Sequence, residues 1–343
     1  MESDWTRYLA ADGARFVEGR LADFGDPRAE VATTASGSVR APLVQFGVLD
    51  FAGPDAAAFL HGQLSCDVQG LATDRATLGT YNTAKGRMLA SFLLWRTPEG
   101  FRMLLPRDVA APVEKRLRMF VLRAKVVIAE VSATHGLMGV SGPSAAAAVA
   151  RVCGAAPSPD QAVHACGNGV AIRVPGERFV LVIASDRAPA VWEALGDSLR
   201  RVGPASWDWL DIACGIAFVT VATQDQLVPQ MANMDRVGGV NFKKGCYPGQ
   251  EIVARTQYLG KLKRRMYLAH VDADAAPAPG DALFSEDVND QSNGLVVAAA
   301  AAPSGGYDCL AVVQSASATA SRVHLRAPDG PVLAFRPLPY SVE

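Results

Sequence analysis

The chain has 343 residues and half of them are hydrophobic, which allows two or three domains, each with its own core. Its formal net charge is −1, which excludes a chain-wide attraction to nucleic acid or to an anionic membrane. The N-terminal residues carry acids and no apolar segment of signal-peptide length. The most apolar later run, residues 295–302, is far shorter than the roughly 20 residues that cross a bilayer. These features predict a cytoplasmic protein without a membrane partner.

The first part of the chain alternates between strand and helix patterns. Residues 43–51 are apolar and predict a strand, and Pro54 suits the first position of the helix that follows. Residues 76–106 form apolar runs broken by Ala-Lys-Gly and Pro-Glu-Gly, which predict an antiparallel meander. Apolar residues at helical spacing predict a helix over 108–123, and residues 125–131 return as a strand.

A similar order of elements then recurs. The segment HGLMGVSGPSAAAAVARVCG again reads as a strand, a Gly-Pro step and an alanine-rich helix, 89 residues after the first Gly-Pro step. Two strands within residues 170–184 and a helix over 188–202 follow. Two interpretations stay open: two related α+β units, or an alanine-rich protein in which Gly-Pro simply begins many helices.

The composition and hydrophobic pattern of the sequence change after Arg265. Short β-rich runs separated by Pro, Gly, Asp and Asn predict a small barrel of roughly 80 residues. The predicted fold class is therefore α+β, with two antiparallel-sheet units and a C-terminal β-barrel. The predicted domains are residues 1–262, made of subdomains at about 40–133 and 134–205 with 206–262 returning to the first, and residues 263–343.

Six cysteines occur without any Cys-x-x-Cys pair or zinc-ligand spacing, so no metal site is predicted. In a reducing cytosol most cysteines are thiols that behave as small buried hydrophobes, and this description is expected to fit five of the six. The cysteines stand at positions 66, 153, 166, 214, 246 and 309.

Cys246 is the exception, because its surroundings favour an exposed and reactive thiol. The residues Tyr247-Pro248-Gly249-Gln250 have the composition of a type II turn, and a helix is predicted from Glu251. Lys243, Lys244 and the positive end of that helix favour the thiolate, the form that attacks electrophiles and binds metals. The alternative is a structural cysteine in a turn. One cysteine cannot hold an iron–sulfur cluster alone, and none of the five histidines shows a recognisable partner motif.

The same region is strongly basic. Residues 243–265 contain seven cationic side chains and one acidic side chain, that of Glu251. This segment therefore has a net charge of +6 in a chain of net charge −1. Such a patch could bind an anionic cofactor tail, RNA or an acidic protein surface, or it could be a solvated helix and linker. The cations are Lys243, Lys244, Arg255, Lys261, Lys263, Arg264 and Arg265.

The stretch KGCYPGQE at 244–251 closely resembles the signature of the YgfZ family, which is similar to the glycine-cleavage T-protein, a tetrahydrofolate-dependent aminomethyltransferase. The similarity extends to WLDIACGIAF, DAAAFLHGQLSCDV and YNTAKGRM, and so covers most of the chain. The resemblance implies a ring of three domains around a folate-sized cavity. It also implies a role in the assembly or repair of iron–sulfur clusters in selected enzymes, including those that thiomethylate tRNA. Folate and iron–sulfur client enzymes or assembly proteins are the implied partners.

The resemblance also implies roles for particular residues. Phe46 and Trp207 would flank the pterin of tetrahydrofolate, although Phe46 replaces a tryptophan of some relatives and offers a smaller ring. Cys246 would be the reactive thiol, with Lys244 supporting the thiolate. Asn82, Lys85 and Arg87 would line the cavity. The remaining implied residues are Gly245, Tyr247, Pro248, Gly249, Gln250 and Glu251 in the loop, and Lys261, Lys263, Arg264 and Arg265 in a basic patch for the folate tail or an acidic client.

One departure from the aminomethyltransferases is informative. Ala90 and Ser91 stand where those enzymes carry two acids, and neither side chain can stabilise a transferred amine. Glycine cleavage is therefore not expected, and the chain is not predicted to be a classical enzyme. Two rival hypotheses remain: a folate-dependent one-carbon transferase or demethylase, which needs another acid in the cavity, and a module that contacts tRNA directly through the basic patch.

Overall fold

The structure, a computed structural model, describes residues 4–167, 169–258, 260, 262–288 and 292–342. In this part of the chain no helix is both long enough and apolar enough to cross a membrane. The helices are α1 (Asp4–Ala11), α2 (Pro27–Ser36), α3 (Ala56–Gln63), α4 (Arg107–Arg118), α5 (Ala145–Cys153), α6 (Ala188–Ala194), α7 (Pro204–Ala213), α8 (Gln250–Tyr258) and α9 (Ser315–Ala320).

The strands form three large sheets and one small hairpin. They are β1 (Arg15–Val17), β2 (Arg20–Asp23), β3 (Val39–Pro42), β4 (Phe46–Ala52), β5 (Ala76–Asn82), β6 (Met88–Thr97), β7 (Gly100–Pro106), β8 (Val127–Glu130), β9 (His135–Ser141), β10 (Val163–Ala165), β11 (Gly169–Val174), β12 (Arg178–Ala184), β13 (Arg200–Arg201), β14 (Arg264–Val271), β15 (Ala282–Ser285), β16 (Ser292–Ala301), β17 (Tyr307–Gln314), β18 (Val323–Leu325) and β19 (Ala334–Arg336).

The first sheet has the strand order β5-β6-β7-β4-β8 and is antiparallel throughout, as the meander pattern predicted. Helices α3 and α4 share one core with it, because Val109, Val113 and Leu117 of α4 are buried at helical spacing. Helix α4 is shorter than predicted. It ends at Arg118, and the next residues form turns in which Leu122 adopts a left-handed conformation with φ of 47°.

The second sheet has the order β10-β11-β12-β9-β3-β13, and all its pairs are antiparallel except β3 with β13. Helices α1, α5 and α6 contribute apolar side chains to a core shared with this sheet. The predicted helix over 188–202 was too long. Helix α6 ends at Ala194, because Gly196 turns the chain at a φ of 74° and residues 200–201 then pair as β13.

The third sheet has the order β18-β15-β16-β17-β14-β19 and is antiparallel throughout. It curls into a half-barrel built from residues 264–336, so the predicted α+β class with a C-terminal β-barrel is confirmed. The strand–Gly-Pro–helix order also recurs in the structure, as β4 with α3 and as β9 with α5. The exact domain limits stay predictions.

The three sheets meet around α7, which carries the central core. Trp207, Leu210 and Ile212 of this helix are buried in a cluster that also takes side chains from β4, β12 and β17. The indole N–H of Trp209 donates to Asp308 Oδ2 at 3.0 Å and so ties the helix to the third sheet. Helix α7 therefore packs among all three sheets.

The prediction for the cysteines was wrong in one respect. Cys153 and Cys166 form a disulfide that joins the end of α5 to the residue after β10. Positions along the chain could not show that these two segments lie side by side. The remaining thiols are Cys66 and Cys309, which are buried, Cys214, which is half-buried, and Cys246, which is exposed.

Candidate functional site

Phe46 and Trp207, the two aromatic residues predicted to bind folate, line one cavity at the centre of the molecule. This space, the aromatic cavity, is narrow, with a volume of about 30 Å³. Phe218 packs edge-to-face on Phe46, with ring centres 5.0 Å apart. The walls are mainly apolar and come from β4, β5, β6, β7, β12 and α7. The arrangement is therefore a narrow, mainly apolar space bordered by aromatic rings.

A buried ion pair also lines the aromatic cavity. Arg178 Nη1 donates to Asp211 Oδ1 at 2.7 Å, and both side chains are largely withdrawn from solvent. The guanidinium lies over the ring of Trp207, 4.8 Å from its centre. These two residues were missed at the sequence level, because Arg178 begins an ordinary strand and Asp211 lies within an apolar helix. They supply the charged groups among the described residues that line the cavity.

Another carboxyl group lies close by on α7. Asp208 accepts a hydrogen bond from Gln45 Nε2 at 2.9 Å. Burial raises the pKa of Asp208 to about 7, and the bond from Gln45 only partly opposes that shift. Ser91, one of the two residues at the position of the enzymes' acids, makes hydrogen bonds within the fold. Its hydroxyl donates to Ala217 O at 3.0 Å and accepts from Val219 N at 2.8 Å.

The cysteine loop has the conformation that its composition predicted. The amide of Gln250 donates to Tyr247 O at 3.2 Å, and Gly249 has a φ of 80°, as the third position of a type II turn requires. Helix α8 begins at Gln250, so the predicted turn and helix are both present. Cys246 is exposed immediately before this turn.

The loop is anchored on the end of α3 by Lys244. The ammonium donates to His61 O and, at 2.5 Å, to Leu64 O. Asn241 Oδ1 shapes the approach by accepting from the amides of Lys243 and Lys244 at 2.8 and 3.0 Å. Burial lowers the pKa of Lys244 to about 8. Support of a thiolate at Cys246 stays a prediction for Lys244.

The YNTAKGRM segment packs directly against the cysteine loop. A Cβ atom at Gly249 would stand only 2.4 Å from Thr83 O and 2.6 Å from Gly86 Cα. The backbone of the cysteine loop is therefore in direct contact with the backbone of the 83–86 turn. Two segments that resemble family motifs are thus brought together by a contact that only glycine permits.

Asn82, Lys85 and Arg87 lie in or beside this turn, and none is among the described residues that line the aromatic cavity. Lys85 is exposed, and Arg87 Nη1 donates to Gln226 O at 2.9 Å. Asn82 is only 2% exposed, yet neither of its side-chain polar atoms has a partner in the described structure. Their assignment to folate stays a prediction.

The residues of the predicted basic patch differ in their surroundings. Arg265 makes a two-pronged ion pair with Asp235, at 2.7 and 2.9 Å, and also donates to Gln230 O. Lys263 is exposed and Arg264 is half-buried. Lys261 lies outside the described residues.

A second, more open pocket of about 500 Å³ lies between the segment 66–77 and residues 238–243. Its charged lining residues are Asp67, Arg75 and Lys243. Gln161 lines both this pocket and the aromatic cavity, so the two spaces are neighbours. No cluster of three or more potential metal-ligating side chains occurs in the described part of the chain.

One histidine lies beside the cysteine loop, which the sequence did not reveal. His61 Nδ1 lies 3.3 Å from Asp67 Oδ1, and a Cβ atom at Gly245 would stand 3.8 Å from His61 Nε2. Burial and, second, the charge of Lys244 lower the pKa of His61.

The comparisons with known proteins give the fold and the family. No family model matches the chain. The solved aminomethyltransferase T of the glycine cleavage system from Bartonella henselae superposes with a TM-score of 0.80 at 19% identity, covering 97% of this chain and 96% of that one. This likeness shows the fold.

Among curated relatives, the tRNA-modifying protein YgfZ of Yersinia enterocolitica serotype O:8 is 32% identical over 303 residues, which are 88% of this chain and 92% of the relative. The protein of the same name from Yersinia pestis strain Pestoides F is 31% identical over the same shares. Identity at this level over nearly the whole length of both proteins is decisive, and the chain belongs to the YgfZ family.

Proposed function

We propose that this chain is a folate-binding accessory protein for the assembly or repair of iron–sulfur clusters in selected enzymes, including enzymes that thiomethylate tRNA. Cys246 is its reactive thiol. The name of the Yersinia relatives supports the link to tRNA modification. The observation that carries the folate part is that Phe46 and Trp207, far apart in sequence, line one cavity.

The chemistry of the cavity fits a pterin. Its apolar walls and two aromatic rings suit a flat heterocycle, which stacks on such rings. The Asp211 carboxylate offers an acceptor for the amino and N–H groups along one edge of a pterin, while Arg178 holds that carboxylate in place. Tetrahydrofolate would supply a reduced pterin that carries one-carbon units. Phe46, Trp207 and Asp211 are the residues proposed to hold it.

The exposed thiol of Cys246 supports the second part of the proposal. Its turn is rigidly seated, because Gly249 contacts the 83–86 turn and Lys244 binds the end of α3. A thiol held at the surface can reach a client protein, which a buried thiol cannot. The iron–sulfur cluster itself is cargo that belongs to the client enzyme.

One observation favours the one-carbon transferase as a second candidate. That hypothesis needs an acid in the cavity, and Asp211 provides one. Its Oδ1 already accepts a hydrogen bond from Arg178, however, so this oxygen is engaged within the protein. The direct tRNA module gains less support, because Asp235 neutralises Arg265.

Two measurements test the proposal. Calorimetry with tetrahydrofolate should show one site per chain, and Trp207→Leu should bind at least tenfold more weakly, as expected when a stacking ring worth about 1.4 kcal/mol is lost. Expression of the chain in a strain that lacks its own family member should restore thiomethylated tRNA. Absence of binding would refute the folate part, and absence of restoration would refute the iron–sulfur part.

A further inference from the structure

An exposed apolar turn, formed by residues 119–122, follows helix α4. In this apolar turn Met119 is 60% exposed, Phe120 43% and Leu122 89%. Val121 instead packs against the core that α4 shares with the first sheet, and so anchors the turn. The amides of Met119, Phe120 and Val121 donate to carbonyls at the end of α4 at distances between 2.9 and 3.3 Å. The turn therefore presents three apolar side chains from a fixed backbone.

Leu122 has a strained backbone conformation. Its φ of 47° lies in the left-handed region, which costs free energy for a leucine. The other described non-glycine residues with a positive φ are all polar. Since the leucine side chain is almost fully exposed, contacts within the fold offset little of this strain. A leucine that is held in one outward direction is suited to a shaped pocket on a partner, because its binding requires little further ordering.

The apolar turn lies within a strongly basic segment. Residues 115–125 contain five cations and no acid, in a chain of net charge −1. Arg118 pairs with Glu114 at 2.7 Å, whereas Arg123 and Lys125 make no ion pair within the described part of the chain. Arg123 and Lys125 also lie beyond the end of α4, so the helix dipole does not account for them. The five cations, all exposed, are Lys115, Arg116, Arg118, Arg123 and Lys125.

Four other occupants fit this surface less well. A second copy of the chain would bring cations against cations, because a symmetric contact pairs identical patches. A fluid bilayer needs no fixed side-chain direction, so it does not explain the strain at Leu122. RNA bases stack on aromatic rings, and Met119 and Leu122 have none. Strand addition at the edge strand β8 is opposed by Arg118, which donates to Ile128 O at 2.6 Å and so occupies a carbonyl of that strand.

We propose that the apolar turn and the cations around it form a docking surface for an acidic protein with an apolar pocket. Leu122 is the anchor that enters the pocket, Met119 and Phe120 border it, and Arg123 and Lys125 bind carboxylates at the rim. An apolar centre with a polar rim is the usual anatomy of a protein interface. Three apolar side chains expose far less than the roughly 800 Å² that each partner buries in a stable complex, so the complex is transient and sensitive to salt.

This docking surface is separate from the folate cavity and from Cys246. The apolar turn precedes β8, which is one edge of the first sheet, whereas the cysteine loop packs on the 83–86 turn between β5 and β6 at the other edge. The proposed contact therefore goes beyond the proposed function and does not depend on folate or on the thiol.

Photo-crosslinking of the full chain in the cells that produce it tests the proposal, with p-benzoylphenylalanine at position 122. The same probe at position 221 is the control, because Val221 is 56% exposed in a segment without cations. A protein cross-linked from position 122 alone is identified by mass spectrometry, purified and titrated against the chain by calorimetry. We expect an acidic protein whose affinity falls as salt rises from about 50 to about 300 mM.

Variants of the chain then separate the anchor from the rim. Leu122→Asn should weaken binding at least tenfold, and asparagine tolerates a left-handed φ, so the turn keeps its conformation. The double variant Arg123→Glu with Lys125→Glu should weaken binding by at least as much, because it reverses two rim charges. Val221→Asn should bind like the wild type.

Equal binding by Leu122→Asn and the wild type would overturn the proposal, and so would identical cross-linked products from positions 122 and 221. A partner without an excess of acids, or no cross-linked protein from position 122, would do the same. Two further results would also contradict it by assigning the turn to another occupant. One is a cross-link between two copies of the chain. The other is sedimentation with vesicles of phosphatidylcholine and phosphatidylserine that Leu122→Asn abolishes.

Discussion

The aromatic cavity and the cysteine loop are built in opposite ways. The cavity takes its walls from all parts of the α+β region, and Phe46 and Trp207 meet only after both large N-terminal sheets have packed around α7. The loop is defined by its own turn, by a backbone contact with the 83–86 turn and by the bonds of Lys244 to the end of α3. Changes in the cavity should therefore affect stability and ligand binding together, whereas changes in the loop should affect stability only where a residue is in close contact with a neighbouring segment.

The largest effect is expected from breaking the buried ion pair of the cavity. Asp211→Asn leaves the guanidinium of Arg178 buried without its counter-charge, and we expect the free energy of unfolding to fall by about 3–5 kcal/mol. Asp160→Asn is the matched control, because it removes the partner of Arg173 at a site where the carboxylate is 50% exposed. That change should cost under about 1 kcal/mol in urea unfolding. Equal losses would show that the pair does not stabilise the cavity.

The next effect separates the two glycines of the loop. Gly249→Ala places a Cβ atom 2.4 Å from Thr83 O at a positive φ, so we expect a loss of about 2–3 kcal/mol in the free energy of unfolding. Gly245→Ala meets nothing closer than 3.8 Å and should change stability by under about 0.5 kcal/mol. Thermal unfolding of both variants checks this. A tolerant Gly249→Ala would mean that the two turns are not in close contact.

A smaller effect distinguishes the two faces of β4. Phe46→Leu and Phe51→Leu should each lower the free energy of unfolding by about 1 kcal/mol, because both rings are buried. Only Phe46 lines the aromatic cavity, while Phe51 packs in the core shared with α3 and α4. Tetrahydrofolate affinity should therefore fall about tenfold in Phe46→Leu alone. The same loss of affinity in both variants would point to a general effect on packing.

The last effect, similar in size to the one before, concerns the dependence of stability on pH. Since burial lowers the pKa of Lys244 to about 8, below its ordinary value of 10.5, the unfolded chain holds this proton more tightly between those two pH values. Stability contributed by this group should therefore rise with pH from about 8 to 10.5, by about 1–2 kcal/mol. Urea unfolding of Lys244→Met should lack this rise, while Lys85→Met at an exposed position should keep it. A flat profile in the wild type would contradict the burial of the ammonium.

The loop was predictable from the sequence because its determinants are adjacent in the chain. Proline and glycine at the second and third positions of the Tyr247–Gln250 turn, and helix-forming residues after it, specify a turn and a helix without any distant partner. The order of strands and helices was predictable for the same reason, since it depends on local periodicity. The resemblance to a known family then related Phe46 to Trp207, which no local pattern could do.

The features that were missed all depend on contacts between distant segments. Nothing near Arg178 or Asp211 in the sequence indicates that the two pair within a cavity, because they come from different elements. The bond between Cys153 and Cys166 likewise requires that the end of α5 lie beside β10. In the sequence His61 is an ordinary histidine within a helix, and only the packing of the loop on that helix brings it beside Gly245.

The most direct test of the central claim is the level of thiomethylated tRNA in a strain that lacks its own family member and carries this chain as wild type, Cys246→Ala or Cys246→Ser. Cys214→Ser is the control for loss of a thiol elsewhere. If Cys246 is the reactive thiol, both Cys246 variants should accumulate as folded protein and fail to restore the modification, while Cys214→Ser restores it. Full restoration by Cys246→Ala would contradict the proposal that Cys246 is the reactive thiol, and would point to the aromatic cavity as the functional site.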